Sequence, residues 1–144
     1  MARPDLDALM SALLPFAQRM LSKHGEFYPF GAAIDRDGQV RLMAGGADTD
    51  RPLADQVIDA LVAGFRQAAA EGEVRAVGLC FDARTIPPGS DEKVDSIVLE
   101  LEHVDGDCVL VALPYHKGLF GRMKYGDSFA ASSKPRVFSR VGDA

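Results

Sequence analysis

The first third of the chain begins with a pattern typical of an amphipathic helix. Across residues 5–23, apolar side chains recur three or four positions apart and would share one helix face: Leu6, Leu9, Leu13, Phe16, Ala17, Met20 and Leu21. Asp5 is placed to cap the start of this helix, and His24-Gly25 supplies a stop signal. Pro15 predicts a kink or break near Leu14, because proline lacks a backbone N–H.

A β-hairpin is predicted next, with strands over 26–35 and 39–44 around Arg36-Asp37-Gly38. A three-residue loop with Gly38 in the left-handed conformation would place Ile34 opposite Val40 and keep the apolar residues on one face. A two-residue loop would instead place Ile34 opposite Arg41. The pattern therefore favours the longer loop, in which Ala32 faces Leu42 and Phe30 faces Ala44.

Aromatic residues precede this hairpin, at Phe27, Tyr28 and Phe30. Core packing is the favoured interpretation of this group. Pro29 is hard to place inside a central strand and indicates either an edge strand or the start of a strand. An exposed edge bearing Tyr28 would suit dimerisation.

A second helix follows the breaking pair Gly45-Gly46. Its start is indicated by Asp48, Thr49, Asp50 and Pro52, and it ends at Gly72. The helical period is clearest here, in Leu53, Val57, Leu61 and Phe65, flanked by Ile58 and Val62. The two glycines do not indicate a phosphate cradle, because Asp48 and Asp50 would repel an anion at that point.

Three more strands are predicted at Val74–Phe81, Ser96–Val104 and Asp107–Leu113, with an exposed polar loop at 87–92 after the first of them. Asp105-Gly106 is typical of a two-residue turn and would place His103 opposite Cys108. Beyond Tyr115 the periodicity fades, although residues 136–139 are compatible with a short edge strand.

This order, α-β-β-α-β-β-β plus a C-terminal tail, predicts an α+β fold: a single antiparallel sheet of about five strands with two helices on one face. One domain is expected over 1–144, with a core at 5–114 and a basic aromatic loop and tail at 115–144.

The element order over residues 5–115 resembles that of roadblock and other profilin-like domains. The stretch Gly25–Gly31 after an amphipathic helix also resembles small bacterial proteins known only as uncharacterised families. These resemblances imply the fold and bring no catalytic residues. The tail departs from the C-terminal helix that profilin-like domains usually add.

The amino-acid composition narrows the class of protein. A hydrophobic content of 47% with 26% charged residues is ordinary for a globular protein of 144 residues. No apolar run approaches the roughly 20 residues of a membrane helix, and no secretory signal is evident, so we expect a cytoplasmic protein. The two cysteines, Cys80 and Cys108, fall on strands separated by one other strand, about 10 Å apart, and are expected to be buried reduced thiols.

Charge is distributed unevenly along the chain. The net charge is −5, which disfavours general nucleic-acid binding. Residues 115–140 nevertheless carry one acid, Asp127, against six basic side chains: Lys117, Arg122, Lys124, Lys134, Arg136 and Arg140. The same segment contains five of the 11 Phe and Tyr residues. It either folds back onto the acidic sheet near Glu100 and Glu102 or recognises something acidic.

Signals for catalysis are weak. His24, His103 and His116 are scattered and lack metal-ligand spacing, and His103 with Cys108 would supply only two ligands. Ser90–Lys93 matches S-x-x-K in a loop without the companion motifs, and Asp82 is an isolated carboxylate at a strand end. We therefore expect no metal or cofactor. The weak catalytic signals favour a protein that is not an enzyme.

The best candidate site is the segment 115–126, which combines donors, aromatic rings and glycines directly after a core strand. Its expected binding residues are Tyr115, His116, Lys117, Phe120, Arg122, Lys124 and Tyr125. Docking onto a protein partner, including a second copy, is the leading hypothesis. The function is then that of a non-catalytic interaction or regulatory module inside the cell, of the immunity or complex-assembly type.

The alternative is a small-molecule binder or enzyme. It would use a pocket under the 115–126 loop, in which Lys117, Arg122 and Lys124 hold an anion and His116 converges with a carboxylate such as Asp82. Gly118-x-x-Gly121 beside Lys117 and Arg122 also suggests a clamping loop of the KH type. The element order does not match that fold, so neither nucleic-acid binding nor membrane contact is expected.

Overall fold

A computed structural model describes residues 2–44 and 53–138, which form two helices and seven strands. In chain order these are α1 (Ala2–His24), β1 (Phe30–Asp35), β2 (Val40–Ala44), α2 (Ala54–Ala70), β3 (Val74–Thr85), β4 (Val94–His103), β5 (Cys108–Lys117), β6 (Met123–Tyr125) and β7 (Phe129–Ser132). The strands pair antiparallel in the order β2-β1-β3-β4-β5-β6, and β7 also pairs with β5.

The predicted α+β class and antiparallel sheet are confirmed. The sheet has seven strands rather than about five, because the segment after Tyr115 supplies two short ones along the outer edge of β5. Residues 136–138 do not form the predicted edge strand. Ser139 and Arg140, like the helix-start signal at 48–52 and the pair Gly45-Gly46, lie outside the described residues.

The two helices pack on opposite faces of the sheet, so the prediction that both cover one face is wrong. Neighbouring residues of a strand point to opposite faces, and β1 and β3 are apolar at both alternating sets. The helix α1 packs against one set, which includes Ala32, Ile34, Ala76 and Cys80. The helix α2 packs against the other, which includes Ala33, Val77 and Leu79.

Two glycines allow this close two-sided packing. A Cβ atom at Gly31 would lie 2.8 Å from the Phe65 ring of α2 and 2.8 Å from the Gly78 carbonyl oxygen. On the other face, a Cβ atom at Gly78 would lie 2.7 Å from Leu13 of α1. All three distances are too short for real Cβ contacts, so glycine at these positions lets each helix approach the sheet backbone.

The helix α1 runs without a break through Pro15, contrary to the prediction of a split. Pro15 lies on the exposed side of the helix, as does Ser11 four residues before it. Water can therefore satisfy the carbonyl that proline leaves without a partner. The helix ends where predicted: Gly25 has φ of 73°, and its N–H donates to the Leu21 carbonyl oxygen.

The first hairpin has the predicted register, in which Ile34 pairs with Val40 and Gly38 has φ of 89°. Pro29 directly precedes β1, which agrees with the strand-start interpretation. The edge interpretation is wrong, because β1 lies between β2 and β3. Tyr28, 60% exposed, is therefore not on a sheet edge.

The second hairpin has a different register from the one predicted. Cys108 pairs with Glu102 rather than with His103, because the connection has three residues and Gly106 adopts φ of 109°. The His103 N–H donates to the Asp107 carbonyl oxygen and closes this longer loop. The shift of one residue separates the side chains of His103 and Cys108 onto opposite faces of the sheet.

The cysteines are not joined by a disulfide. Cys80 is buried, and burial raises the pKa of its thiol; Cys108 is half-buried rather than buried. Neither α1 nor α2 is long and apolar enough to cross a bilayer, and these are the helices in the described parts of the chain.

Candidate functional site

The segment predicted as a loop at 115–126 is a β-hairpin. The strand β5 continues as far as Lys117, and β6 returns beside it with Tyr115 opposite Tyr125, His116 opposite Lys124 and Lys117 opposite Met123. A single 3₁₀ turn, Leu119–Gly121, forms the tip of the hairpin. The seven residues predicted as a site are thus distributed between the base, the two strands and the tip.

The tip of the hairpin, Leu119-Phe120, is strongly exposed. Phe120 is 99% exposed and Leu119 is 82% exposed, the two highest values among the exposed large apolar side chains of the described residues. Phe120 also has φ of 60°, a left-handed conformation that side chains other than glycine seldom adopt. The backbone turn thus holds an apolar ring away from the protein surface.

Basic side chains flank the tip. Arg122 and Lys124 are exposed, and neither forms an ion pair with another described residue. Lys117 extends towards Gly25 at the end of α1, where its Nζ lies 3.4 Å from the position of an added Cβ. Lys117 is therefore directed at the negative end of the α1 dipole, which leaves Arg122 and Lys124 as the cations beside the tip.

At the base of the hairpin, the Tyr115 hydroxyl donates a 2.7 Å hydrogen bond to Asp82 Oδ2. Burial raises the pKa of Tyr115, and the hydrogen bond to Asp82 adds to the effect, so the phenol stays protonated at neutral pH. Burial also raises the pKa of Asp82, with repulsion from Asp95 and Glu26, although the hydrogen bond from Tyr115 opposes the shift. Tyr125 lies beside Tyr115 with 6.5 Å between ring centroids.

His116 does not converge with Asp82 as predicted for an enzyme. Tyr115, which binds Asp82, points to the face of the sheet that carries α1, and the next residue of the strand points to the other face. His116 instead borders an open groove of about 710 Å³, together with Arg84, Lys93, Asp95 and Tyr125. The predicted anion ligands Lys117, Arg122 and Lys124 do not border this groove.

Residues 136–138 of the basic tail fold back onto the acidic face of the sheet, one of the two possibilities that the charge pattern left open. Arg136 donates from Nε and Nη2 to the Glu100 carboxylate, at 2.6 and 3.1 Å, and Arg66 of α2 donates to the Arg136 carbonyl oxygen. Val137 and Phe138 are buried against the α2 side of the core. Arg136 therefore has a structural role in fixing the tail to the sheet.

Glu102 anchors this tail through backbone amides. Glu102 is 6% exposed, and its carboxylate accepts N–H groups from Arg136 at 2.6 Å, Val137 at 3.0 Å and Phe138 at 2.6 Å. Sequence analysis found the two acidic partners but not this geometry, since nothing in the pattern shows that consecutive amides would turn towards one carboxylate.

A second buried polar cluster was not found from the sequence. Asp5 accepts Nε and Nη2 of Arg75, each at 3.0 Å, and lies 2.9 Å from His103 Nε2. The predicted cap role of Asp5 is wrong, because α1 begins three residues earlier and the carboxylate turns to the sheet. The signal available in the sequence was an acid four residues before the first buried leucine, Leu9, and this spacing also fits a helix cap.

Within residues 2–44 and 53–138, no group of three or more His, Cys, Asp or Glu side chains is arranged to hold a metal ion. Comparison with protein-family models, with curated proteins and with solved structures finds no match to this chain. Its function is therefore inferred from the geometry of the described residues.

Proposed function

We propose that this protein is a non-catalytic interaction module and that the tip of the β5–β6 hairpin is its recognition surface. The observation that carries the proposal is the exposure of Phe120, 99%, in a left-handed backbone conformation. A strained turn that exposes an aromatic ring has a cost in the free protein and no packing benefit there. A partner that buries the ring would supply that benefit.

The free energy gained by burying the Phe120 side chain is large enough for a binding anchor. Full burial of a phenylalanine side chain contributes about 2–3 kcal/mol, and binding hot spots are typically large side chains that fill a pocket on the partner. The turn of the free hairpin already holds the Phe120 ring away from the protein surface. Little conformational entropy is therefore lost on docking.

The chemistry of the partner follows from the residues around the tip. Leu119 and Phe120 require an apolar pocket, and Arg122 and Lys124 require carboxylates at its rim. A protein partner fits better than an anionic membrane surface, because membrane-binding segments generally use clusters of about four to eight basic residues. Here two flank the tip, on a chain of net charge −5.

A small anionic ligand in the groove beside His116 is the alternative. The groove offers Lys93 and Arg84 as cations, although Arg84 lies 3.5 Å from Asp95 and is partly neutralised by it. A titration with phosphate or a dicarboxylate, followed by NMR, separates the two functions. Amide shifts that depend on Lys93 and not on Lys124 would support the groove.

A photoreactive amino acid at position 120 tests the interaction proposal. It is introduced into the full chain expressed in the source cells, and the matched control carries the same group at position 28, since Tyr28 is 60% exposed and lies outside β5 and β6. We expect a discrete protein to be crosslinked from position 120 and not from position 28. The crosslink should decrease when Arg122 and Lys124 are both replaced by Glu. Equal crosslinking from both positions, or none from position 120, would contradict the proposal.

A further inference from the structure

The strand β2 forms one end of the sheet and lacks the features that usually protect a sheet edge. No strand among the described residues pairs with its outer side. Its sequence, Val40–Ala44, contains no proline and no lysine, and three of its apolar side chains are exposed: Val40 at 38%, Leu42 at 52% and Met43 at 40%. Natural edge strands generally carry charges, prolines or bulges that prevent pairing with another chain.

The single charge of β2 is neutralised within the chain. Arg41 Nε donates to Asp35 Oδ2 at 3.2 Å. The backbone N–H of Gln39 donates to the other oxygen of the same carboxylate, and this bond contributes most to holding the pKa of Asp35 below its ordinary value. A second copy of the chain approaching this edge therefore meets no uncompensated like charge on the strand.

The hydrogen-bonding direction of each residue in β2 follows from the β1–β2 pairing. The Asp35 N–H donates to the Gln39 carbonyl oxygen, and the alternation of an antiparallel ladder then directs the backbone groups of Arg41 and Met43 to β1. The backbone N–H and C=O groups of Val40, Leu42 and Ala44 consequently point outward.

We propose that β2 pairs antiparallel with β2 of a second copy, with Leu42 opposite Leu42 on a two-fold axis. This register places Val40 opposite Ala44 of the second copy, so that every outward backbone group in this part of the strand gains a partner. It also brings the exposed side chain of Leu42 into contact with Leu42 of the second copy, and that of Val40 into contact with Ala44 of the second copy. The product is a dimer with one continuous sheet.

This dimer goes beyond the function proposed for the hairpin and is independent of it. The strands β2 and β6 lie at opposite ends of the sheet order, so both hairpin tips stay exposed in the dimer. Phe120→Ser is expected to leave the dimer intact, and loss of the dimer would leave the hairpin proposal unaffected.

Sedimentation equilibrium of the full chain tests the proposal over a range of concentrations. We expect a monomer–dimer equilibrium that Leu42→Lys weakens about tenfold or more, because two cations would then face each other on the axis. Ile86→Lys changes a side chain of similar exposure, 51%, outside the strand and should leave the equilibrium unchanged. A monomeric wild-type protein at all concentrations, or an equal effect of both variants, would overturn the proposal.

A disulfide test checks the register and remains informative if Leu42→Lys disturbs folding. Opposed residues of a hydrogen-bonded antiparallel pair have Cα atoms about 5.5 Å apart, which is within disulfide reach. Leu42→Cys should therefore form a covalent dimer under mild oxidation. In the Met43→Cys variant, the two cysteine Cα atoms would lie about 7–8 Å apart. This variant should therefore form far less covalent dimer. Equal yields from the two variants, or no covalent dimer from Leu42→Cys, would overturn the register.

Discussion

At the scale of single residues, Asp5 connects the start of α1 to the sheet. Its side chain is 13% exposed and binds Arg75 of β3 and His103 of β4. Burial acts to raise the pKa of this carboxyl, but the hydrogen bonds from Arg75 and His103 and their positive charge outweigh it, so the pKa lies below its ordinary value.

The pH dependence of stability follows from that direction. A carboxyl with a lower pKa in the folded state stabilises the fold above its unfolded pKa of about 4, and the contribution is lost as pH falls through the folded pKa. Asp5→Asn should therefore lower the free energy of unfolding by about 2 kcal/mol at pH 7, with a smaller difference below pH 4. Urea unfolding measured by circular dichroism at both pH values checks this.

Asp7→Asn is the matched control for that substitution. Asp7 lies in the same part of α1 but is 59% exposed, and it contacts Arg3 only at 3.9 Å. Its replacement should change the free energy of unfolding by less than about 1 kcal/mol at either pH. A similar loss from both variants would show that a general charge effect at the helix start, rather than the buried cluster, is responsible.

The same substitution, glycine to alanine, is expected to have opposite effects on stability at Gly78 and at Gly64. Gly78→Ala should lower the free energy of unfolding by about 1–3 kcal/mol, because the new methyl group would overlap Leu13. Gly64 lies inside α2 with nothing within 4 Å of an added Cβ, so Gly64→Ala should raise stability by about 0.5–1 kcal/mol. Thermal unfolding of the two variants is sufficient, and destabilisation by both would contradict the packing account.

At the scale of elements, the tail from β7 to Phe138 depends on one carboxylate. Glu102→Gln replaces an ionised acceptor of three backbone amides, and we expect a loss of about 2–3 kcal/mol of stability with faster amide hydrogen exchange at 136–138. Glu100→Gln removes only the ion pair with Arg136, which is 43% exposed at the arginine, and should have a smaller effect. Unchanged exchange in Glu102→Gln would contradict the anchoring role.

The two hairpins show how far sequence determines a register. The first was predicted because a two-residue loop would have placed Ile34 opposite Arg41 and mixed apolar and charged residues on one face of the hairpin. In the second, residues of both alternating sets are apolar in β5, so a shift of one residue leaves apolar contacts in either register. Asp105-Gly106 is compatible with both a two-residue and a three-residue loop, and local sequence could not separate them.

The placement of one helix on each face of the sheet could have been inferred from the sequence. The runs 30–34 and 76–81 are apolar at consecutive positions, which is typical of strands buried on both faces. That signal indicates a layer of helix on each side of the sheet. The exposed tip at Phe120, by contrast, depends on a backbone conformation that no periodicity reports, so the candidate site could be located by composition but not by shape.

At the scale of the whole molecule, the exposed apolar residues lie mainly at the two ends of the sheet. The β2 edge presents Leu42 and Met43 at one end, and the hairpin presents Leu119 and Phe120 beyond β5 at the other. The central strands β1, β3 and β4 are covered by α1 and α2, and by the tail on the α2 side. The core thus separates the two surfaces that we propose for self-association and for partner binding.

The affinity of the partner crosslinked from position 120 tests the central claim most directly. Calorimetric titration with the purified partner should show that Phe120→Ser weakens binding by at least about 2 kcal/mol, or roughly 30-fold. Tyr28→Ser should bind as the wild type does. Equal affinity of the wild-type protein and Phe120→Ser would show that the exposed ring is not a recognition anchor.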